Sequence, residues 1–203
     1  MRTVPDTRSR IVDAALQALR AEGIAGISAR TIARHGGFNQ ALIFYHFGSV
    51  EGLLVAVARS ESERRSELYA PALREVTTLA DLVGVARRLH DEEFQNGAVA
   101  TLTQMLAGAV GSDELALGIR EALAPWTTLV RDTVTRLLAD TPYAGLLPHE
   151  DLTAALAALF LGIELYTGLD PGAATGSLFT TMGAVAALID GLLRAGEIVT
   201  PRP

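Results

Sequence analysis

The sequence predicts an all-α protein, and three observations carry that prediction. Apolar residues recur at the 3.6-residue helical period through most of the 203 residues. No stretch sustains the period-two alternation of β-branched residues that a half-buried strand requires. Helix breakers punctuate the runs at Gly111, Pro142, Gly145, Pro148, Pro171-Gly172 and Gly196. The expected helices group into two domains. Residues 1–50 hold three short helices, and residues 51–203 hold a larger set of longer ones.

The first helix opens at Pro5-Asp6-Thr7, where a fixed φ and a capping side chain precede the periodic run. Ile11, Ala15, Leu16 and Leu19 form its apolar stripe, and Gly23 ends it. Ser28 suits the N-cap of the second helix, with Ile32 and Ala33 facing inward. After the Gly36-Gly37 turn, Asn39 caps the third. Ile43 and Phe47 stand four apart and share a face, so with Phe38 they should close a three-helix core. Ser49 caps a longer fourth helix that starts at Glu51-Gly52-Leu53-Leu54, and Pro71 is expected to kink or end it. Its charged run, residues 60–67, reads as a solvated face. Further helices are expected at Leu79–Gln95, Val99–Val110, Asp113–Leu138 with a bend at Pro125, Asp151–Gly168 and Gly176–Ala195. Residues 1–6 and 197–203 are expected to fray.

Composition narrows the class. Apolar residues make up 49%, enough for a sizeable core, and there is no cysteine for disulfides, thiolate ligands or thiol catalysis. The start, MRTVPDTRSR, lacks the apolar core of a signal peptide, which fits a cytoplasmic protein. Residues 152–169 approach the ~20 apolar residues of a membrane span. Glu164 and Thr167 interrupt that stretch, and Glu150-Asp151 and Asp170 flank it. It reads as a helix buried on more than one face, with no membrane partner. Net charge is -6, but residues 1–54 hold six Arg against four acids, net +2, so the positive potential sits on the N-terminal part.

Residues 28–47, SARTIARHGGFNQALIFYHF, have the form of a helix-turn-helix, a motif that sets one helix in the major groove of DNA. That groove is about 12 Å wide and accepts one helix. The candidates to meet DNA are Arg30, Asn39, Gln40, Ala41, Phe44, Tyr45 and His46. Gln40 can pair with N6 and N7 of adenine, and Ala41 can touch a thymine methyl. Arg30 suits phosphate or guanine, and Tyr45 and His46 carry donors for phosphate oxygens. The free N–H groups at the start of the fourth helix, at Ser49, offer another phosphate site. The competing reading is structural: Phe44 and Tyr45 pack, His46 braces the helix, and Asn39 and Gln40 are ordinary surface.

From Arg10 to Val57 the chain resembles the DNA-binding domain of the TetR family of transcriptional regulators. The resemblance rests on IVDAALQAL before EGI, on TIARHGG, and on YHF followed by an acid and Leu-Leu. It implies an all-helical homodimer with three N-terminal helices for DNA and a larger C-terminal ligand-binding and dimerisation domain. Carried over by position, the DNA contacts of the family fall on Ala29, Arg30, Gln40, Ala41, Leu42, Phe44, Tyr45, His46 and Val50. The family usually has Tyr at Phe44 and Lys at Val50, both of which contact phosphate. Their absence removes a hydroxyl and a charge per subunit, for which Arg8 and Arg10 are candidates to compensate.

A two-fold dimer would read two half-sites of a palindromic operator, about 34–36 Å apart. Ala154, Ala158 and Gly162 on the penultimate helix, and Gly183, Ala187 and Gly191 on the last, form small-residue stripes. Paired across a two-fold axis they would build a four-helix bundle. The alternative is that they pack within one subunit. Candidates to line an effector pocket are Phe94, Met105, Trp126, Phe160 and Glu164. Glu164 stands out, since an acid in an apolar run needs a partner or a ligand. The expected function is a ligand-responsive regulator, a repressor released by a small, mostly apolar molecule. The alternative is a helical small-molecule-binding protein with weak or lost DNA binding. An enzyme ranks third, without G-x-S-x-G, H-E-x-x-H or P-loop motifs. His90-Asp91-Glu92-Glu93 offers ligands at i and i+3, yet reads as a solvated face, so no metal and no cofactor is expected.

Overall fold

The computed structural model describes residues 6–95, 97–139, 141, 148–169 and 175–196. Among these, every regular element is helical. In order they are α1 (Thr7–Glu22), a short 3₁₀ turn (Ile24–Gly26), α2 (Ala29–Gly36), α3 (Ala41–Phe47), α4 (Val50–Arg74), α5 (Leu79–Gln95), α6 (Ala98–Ala109), α7 (Asp113–Ala122), α8 (Ala124–Leu138), α9 (His149–Leu169) and α10 (Thr175–Gly196). The expectations on Pro5, Pro142, Gly145, Pro171, Gly172, residues 1–5 and residues 197–203 lie outside the described residues.

The chain forms two compact units. One comprises Met1–Arg64 and Gly97–Pro125, the other Arg65–Asn96 and Trp126–Pro203. The first unit therefore takes in the start of α4 and all of α6 and α7, besides residues 1–50. Its core is made by Ile11, Ala15 and Leu19 of α1, Ile32 of α2, Ile43 of α3, Leu53 and Val57 of α4, Met105 of α6 and Ile119 of α7. Phe38 and Phe47 close it as half-buried neighbours.

Local chemistry sets the helix starts. Asp6 accepts from the Arg8 backbone N–H at 3.0 Å, and Ser28 from that of Thr31 at 3.1 Å. Asn39 accepts from the Ala41 N–H at 2.9 Å, and Ser49 from the Gly52 N–H at 2.9 Å. Two expected boundaries differ. Pro71 neither ends nor interrupts α4, which runs on to Arg74. The guanidinium of Arg136 donates to the carbonyls of Leu73 (2.7 Å) and Val76 (2.5 Å), satisfying acceptors at that helix end. The single helix expected over residues 113–138 is two, α7 and α8, broken at Leu123. Pro125 consequently lies in the first turn of α8, where its missing N–H leaves no intrahelical bond unmade.

In the second unit α10 packs along α5, and α9 also meets α5. Tyr69, Leu73, Val76, Val85 and Leu89 form its buried cluster. The N-terminus of α5 has every one of its first donors satisfied. Thr78 and Asp81 exchange bonds as a capping box: the Asp81 N–H donates to Thr78 Oγ1 and the Thr78 N–H to Asp81 Oδ2, each at 3.0 Å. The Thr77 backbone N–H, first among these donors, holds the Asp81 carboxyl below the usual carboxylate range. The two donors between them, Leu79 and Ala80, give their N–H groups to the buried carboxylate of Asp190 on α10, at 2.9 and 3.0 Å.

Ala154, Ala158, Gly162, Ala187 and Gly191 are exposed, and Gly183 is half-buried, so the two stripes do not pack inside the subunit. Large apolar side chains accompany them, notably Leu188 (70% exposed) and Leu192 (69%). Among the described residues one helix, α10 over Gly176–Leu193, is long and apolar enough to cross a membrane, rather than residues 152–169 of α9.

Asp190→Ala should lower stability by about 1–2 kcal/mol, since two helix-terminal donors lose a buried acceptor. The urea midpoint reads this, and an unchanged midpoint would refute the capping role.

Candidate functional site

α3 has seven residues, too few to hold a helix in water by itself. Its position is imposed by neighbours. Ile43 is fully buried beneath it, and Gly37 turns the chain into it with φ +65°. Gly36 is needed for closeness: a Cβ there would meet the Phe38 ring at 2.1 Å and Ala14 Cβ at 2.8 Å. At the far end Gly52 plays a similar part, since a Cβ would meet the Phe47 carbonyl oxygen at 2.4 Å. α2 is tied to α1 by Glu22, whose Oε1 accepts from Arg34 at 2.7 Å and lies 3.2 Å from His35 Nε2.

With Ile43 as the inner side, the outer side of α3 follows. Asn39, Gln40 and Ala41 are exposed, Phe44 is 51% exposed and Tyr45 82%. Arg30 is exposed at the start of α2. His46 is half-buried, with the Tyr45 ring edge-on to it at 4.9 Å. Ala29, Leu42 and Val50 are half-buried and pack on the core. Arg8 rests its guanidinium 5.2 Å above the Phe47 ring, which draws an exposed cation of α1 to the end of α3. The helix thus presents amide, methyl, phenyl and phenol groups outward over a few residues. Those groups suit the floor and walls of a major groove.

The pocket candidates are not brought together. Met105 lies in the core of the first unit. Trp126, Phe160 and Glu164 belong to the second, where Trp126 and Phe160 are half-buried against the cluster around Tyr69. The Phe94 side chain lies outside the described residues. Glu164 is buried, and its Oε1 is 2.7 Å from His90 Nδ1. Burial, the largest influence, pushes its carboxyl above the usual carboxylate range, against the lowering pull of His90 and Arg65.

Two faces read as solvated are half interior. Arg65, within residues 60–67, is buried and donates to Glu93 Oε2 at 2.5 Å. His90 and Glu93 are likewise buried, while Asp91 and Glu92 are exposed. The four residues do not converge on one point: His90 meets Glu164, Glu93 meets Arg65, and Glu92 accepts from Tyr69 Oη at 2.5 Å. No group of three metal-ligating side chains occurs among the described residues. Sequence reasoning missed Arg65, His90 and Glu93 because charge was taken as exposure. Spacing was the available signal: Arg65 continues the inward stripe of Leu54, Ala58, Tyr69 and Leu73, and Glu93 that of Val85 and Leu89.

Known proteins resemble this chain over part of its sequence and over most of its fold. Residues 11–57 match the bacterial regulatory proteins of the tetR family. The HTH-type transcriptional regulator BetI of Rhizobium meliloti (strain 1021) is 29% identical over 113 residues, 55% of this chain and 56% of that protein. The chain thus spans about half the length of that curated relative. In fold, the fatty acid degradation regulator FadR of Bacillus halodurans superposes with a TM-score of 0.73 at 15% identity, over 91% of this chain and 96% of that one. The multidrug binding protein EbrR, complexed with malachite green, gives a TM-score of 0.63 at 26% identity, over 92% and 99%.

Removing one partner of the buried Arg65–Glu93 pair should be severe. Glu93→Leu leaves an uncompensated guanidinium and should cost about 3–5 kcal/mol, whereas Arg65→Met with Glu93→Leu should recover most of it. Unfolding of the single and the double variant in urea checks this; a single-variant loss under about 1 kcal/mol would contradict the pairing.

Proposed function

We propose that this chain, whose residues 11–57 match the tetR family of bacterial regulatory proteins, is a ligand-responsive transcriptional repressor of that family, working as a cytoplasmic homodimer on a palindromic operator without membrane, metal or cofactor. One observation carries the DNA-reading part: Gln40, Ala41, Phe44 and Tyr45 stand outward on a short helix anchored from behind by buried Ile43. Gln40 and Ala41 take base edges, Phe44 packs against sugar or a thymine methyl, and Asn39, Tyr45, His46 and Arg30 take phosphates or neighbouring bases.

The dimer is supported by the outward apolar face of α9 and α10. Leu159, Leu165, Tyr166, Val185, Leu188 and Leu192 are all about half exposed or more, beside the small-residue stripes. Exposed apolar side chains in that number are what an interface between copies would cover. Two copies joined there form a four-helix bundle.

The effector is a small molecule with a largely apolar body, held in the second unit by Trp126, Phe160 and Glu164. EbrR, which binds malachite green, supports a ligand of that character. α4 runs through both compact units, and a ligand that prefers one position of this helix would change operator affinity. The ligand acts only through that preference, with a coupling of about 1–3 kcal/mol.

A second reading, a helical ligand-binding protein with weakened DNA binding, is favoured by Phe44 and Val50. Footprinting a palindrome upstream of the chain's own or the adjacent gene separates the two. Protection of two half-sites about one helical turn apart is expected, and only sequence-blind binding would leave the second reading. Val50→Lys should steepen the salt dependence of operator binding by about 0.9 per subunit in the log–log slope. An unchanged slope would show that α4 does not approach a phosphate.

Leu188→Arg with Leu192→Arg should convert the dimer to monomer in sedimentation and abolish operator binding at nanomolar protein. A dimer that persists would move the interface elsewhere.

A further inference from the structure

The second unit carries a buried acceptor that the fold leaves unused. Glu164 is 4% exposed, and its Oε2 has no hydrogen-bond partner among the described residues. Its other oxygen is taken by His90 Nδ1 at 2.7 Å. The nearby cation does not serve it either, since Arg65 is bound to Glu93 at 2.5 Å. Two carboxylates therefore share one guanidinium and one imidazole. Buried polar atoms in native proteins find partners, and an orphan calls for an explanation.

The surroundings say what kind of partner fits. The Phe179 ring centroid is 5.2 Å from that of His90. Trp126 lies under the Arg65 guanidinium at 5.9 Å and edge-on to Tyr69 at 6.3 Å. These ring faces are already engaged with cationic or cation-forming groups, as their negative quadrupoles favour. An anionic amphiphile would meet two acids, Glu93 and Glu164, with Arg65 committed. A neutral apolar molecule would leave Oε2 as it stands. A molecule with an apolar body and one charged N–H donor supplies the partner that this oxygen lacks.

Building on the effector-domain reading above, we propose that the effector is a lipophilic organic base, bound as its protonated amine or amidine with an N–H donated to Glu164 Oε2. His90 holds Glu164 in place from the other oxygen and is a positioning residue. Burial pushes the Glu164 carboxyl up, and a cation at Oε2 opposes that burial cost. A base that enters protonated pairs with the carboxylate directly, and a neutral base meeting the protonated acid takes the proton from Oε2. Both routes end in the same ion pair.

The test uses the full-length protein and three probes of one length: phenylbutylamine, phenylbutanol and phenylbutyrate. Trp126 is the chain's single tryptophan, so intrinsic fluorescence reports from beside Arg65. The amine should bind at least about tenfold tighter than the alcohol, and the carboxylate weakest. Glu164→Gln should weaken the amine by about tenfold and leave the alcohol within about twofold. Equal binding of amine and alcohol to the wild type would overturn the cation preference while leaving an effector pocket standing. Binding of none of the three would remove both the base site and that pocket. If circular dichroism shows that Glu164→Gln does not fold, the amine-to-alcohol ratio of the wild type decides alone.

Discussion

A seven-residue helix has no stability of its own in water, and the candidate DNA-reading surface of this protein depends on how α3 is held. Three contacts settle it. Ile43 is sealed into the core, Phe38 closes against α1 and α2 only because Gly36 has no side chain, and Gly52 lets α4 start against the Phe47 carbonyl. Dense packing makes such contacts discriminating, since a single added methyl group must displace its neighbours. The outward direction of Tyr45 and Gln40 is therefore a consequence of the core, not of α3 itself.

The second unit is organised differently. Its interior contains ionised or ionisable groups that the first unit's core does not: Arg65 with Glu93, and His90 with Glu164. Interior charges are costly unless each finds a partner, and they specify geometry because few arrangements satisfy all of them. Asp190 adds a second polar constraint by binding the first turn of α5 from α10, so two helices distant in sequence are locked in register. Such groups restrict the unit to few packings, and Glu164 Oε2 and His149 Nε2 stay without partners among the described residues.

The apolar surface tells a complementary story. α10 is apolar along its length, yet only part of it is covered inside the subunit. Phe179, Ala186 and Asp190 face inward, while Leu188 and Leu192 face outward. Exposed apolar side chains of this number are energetically unfavourable in water unless a further surface covers them. The dimer proposed above would supply that covering surface.

Much of this was legible in the sequence, for reasons that are local. Ser28 and Ser49 cap helices through bonds spanning three residues, Asn39 leads into α3 through a bond to the Ala41 N–H although Gln40 is the N-cap, and the Gly36-Gly37 turn is set by backbone sterics at those positions. Periodicity identified Ile11, Leu19, Ile32 and Ile43 as core because a helix repeats its faces regularly. The break between α7 and α8 was not legible, since Pro125 can bend a helix or begin one, and neighbours choose. Arg65 and Glu93 lie 28 residues apart, and Asp190 about 110 residues from the N–H groups that it binds. The sequence alone determined most of the helices, their caps and the turn between α2 and α3, because those obey interactions within a turn or two of chain. Tertiary structure alone decided which charges lie inside, what Glu164 faces and which apolar stripes stay uncovered, because burial depends on what folds back from far along the chain.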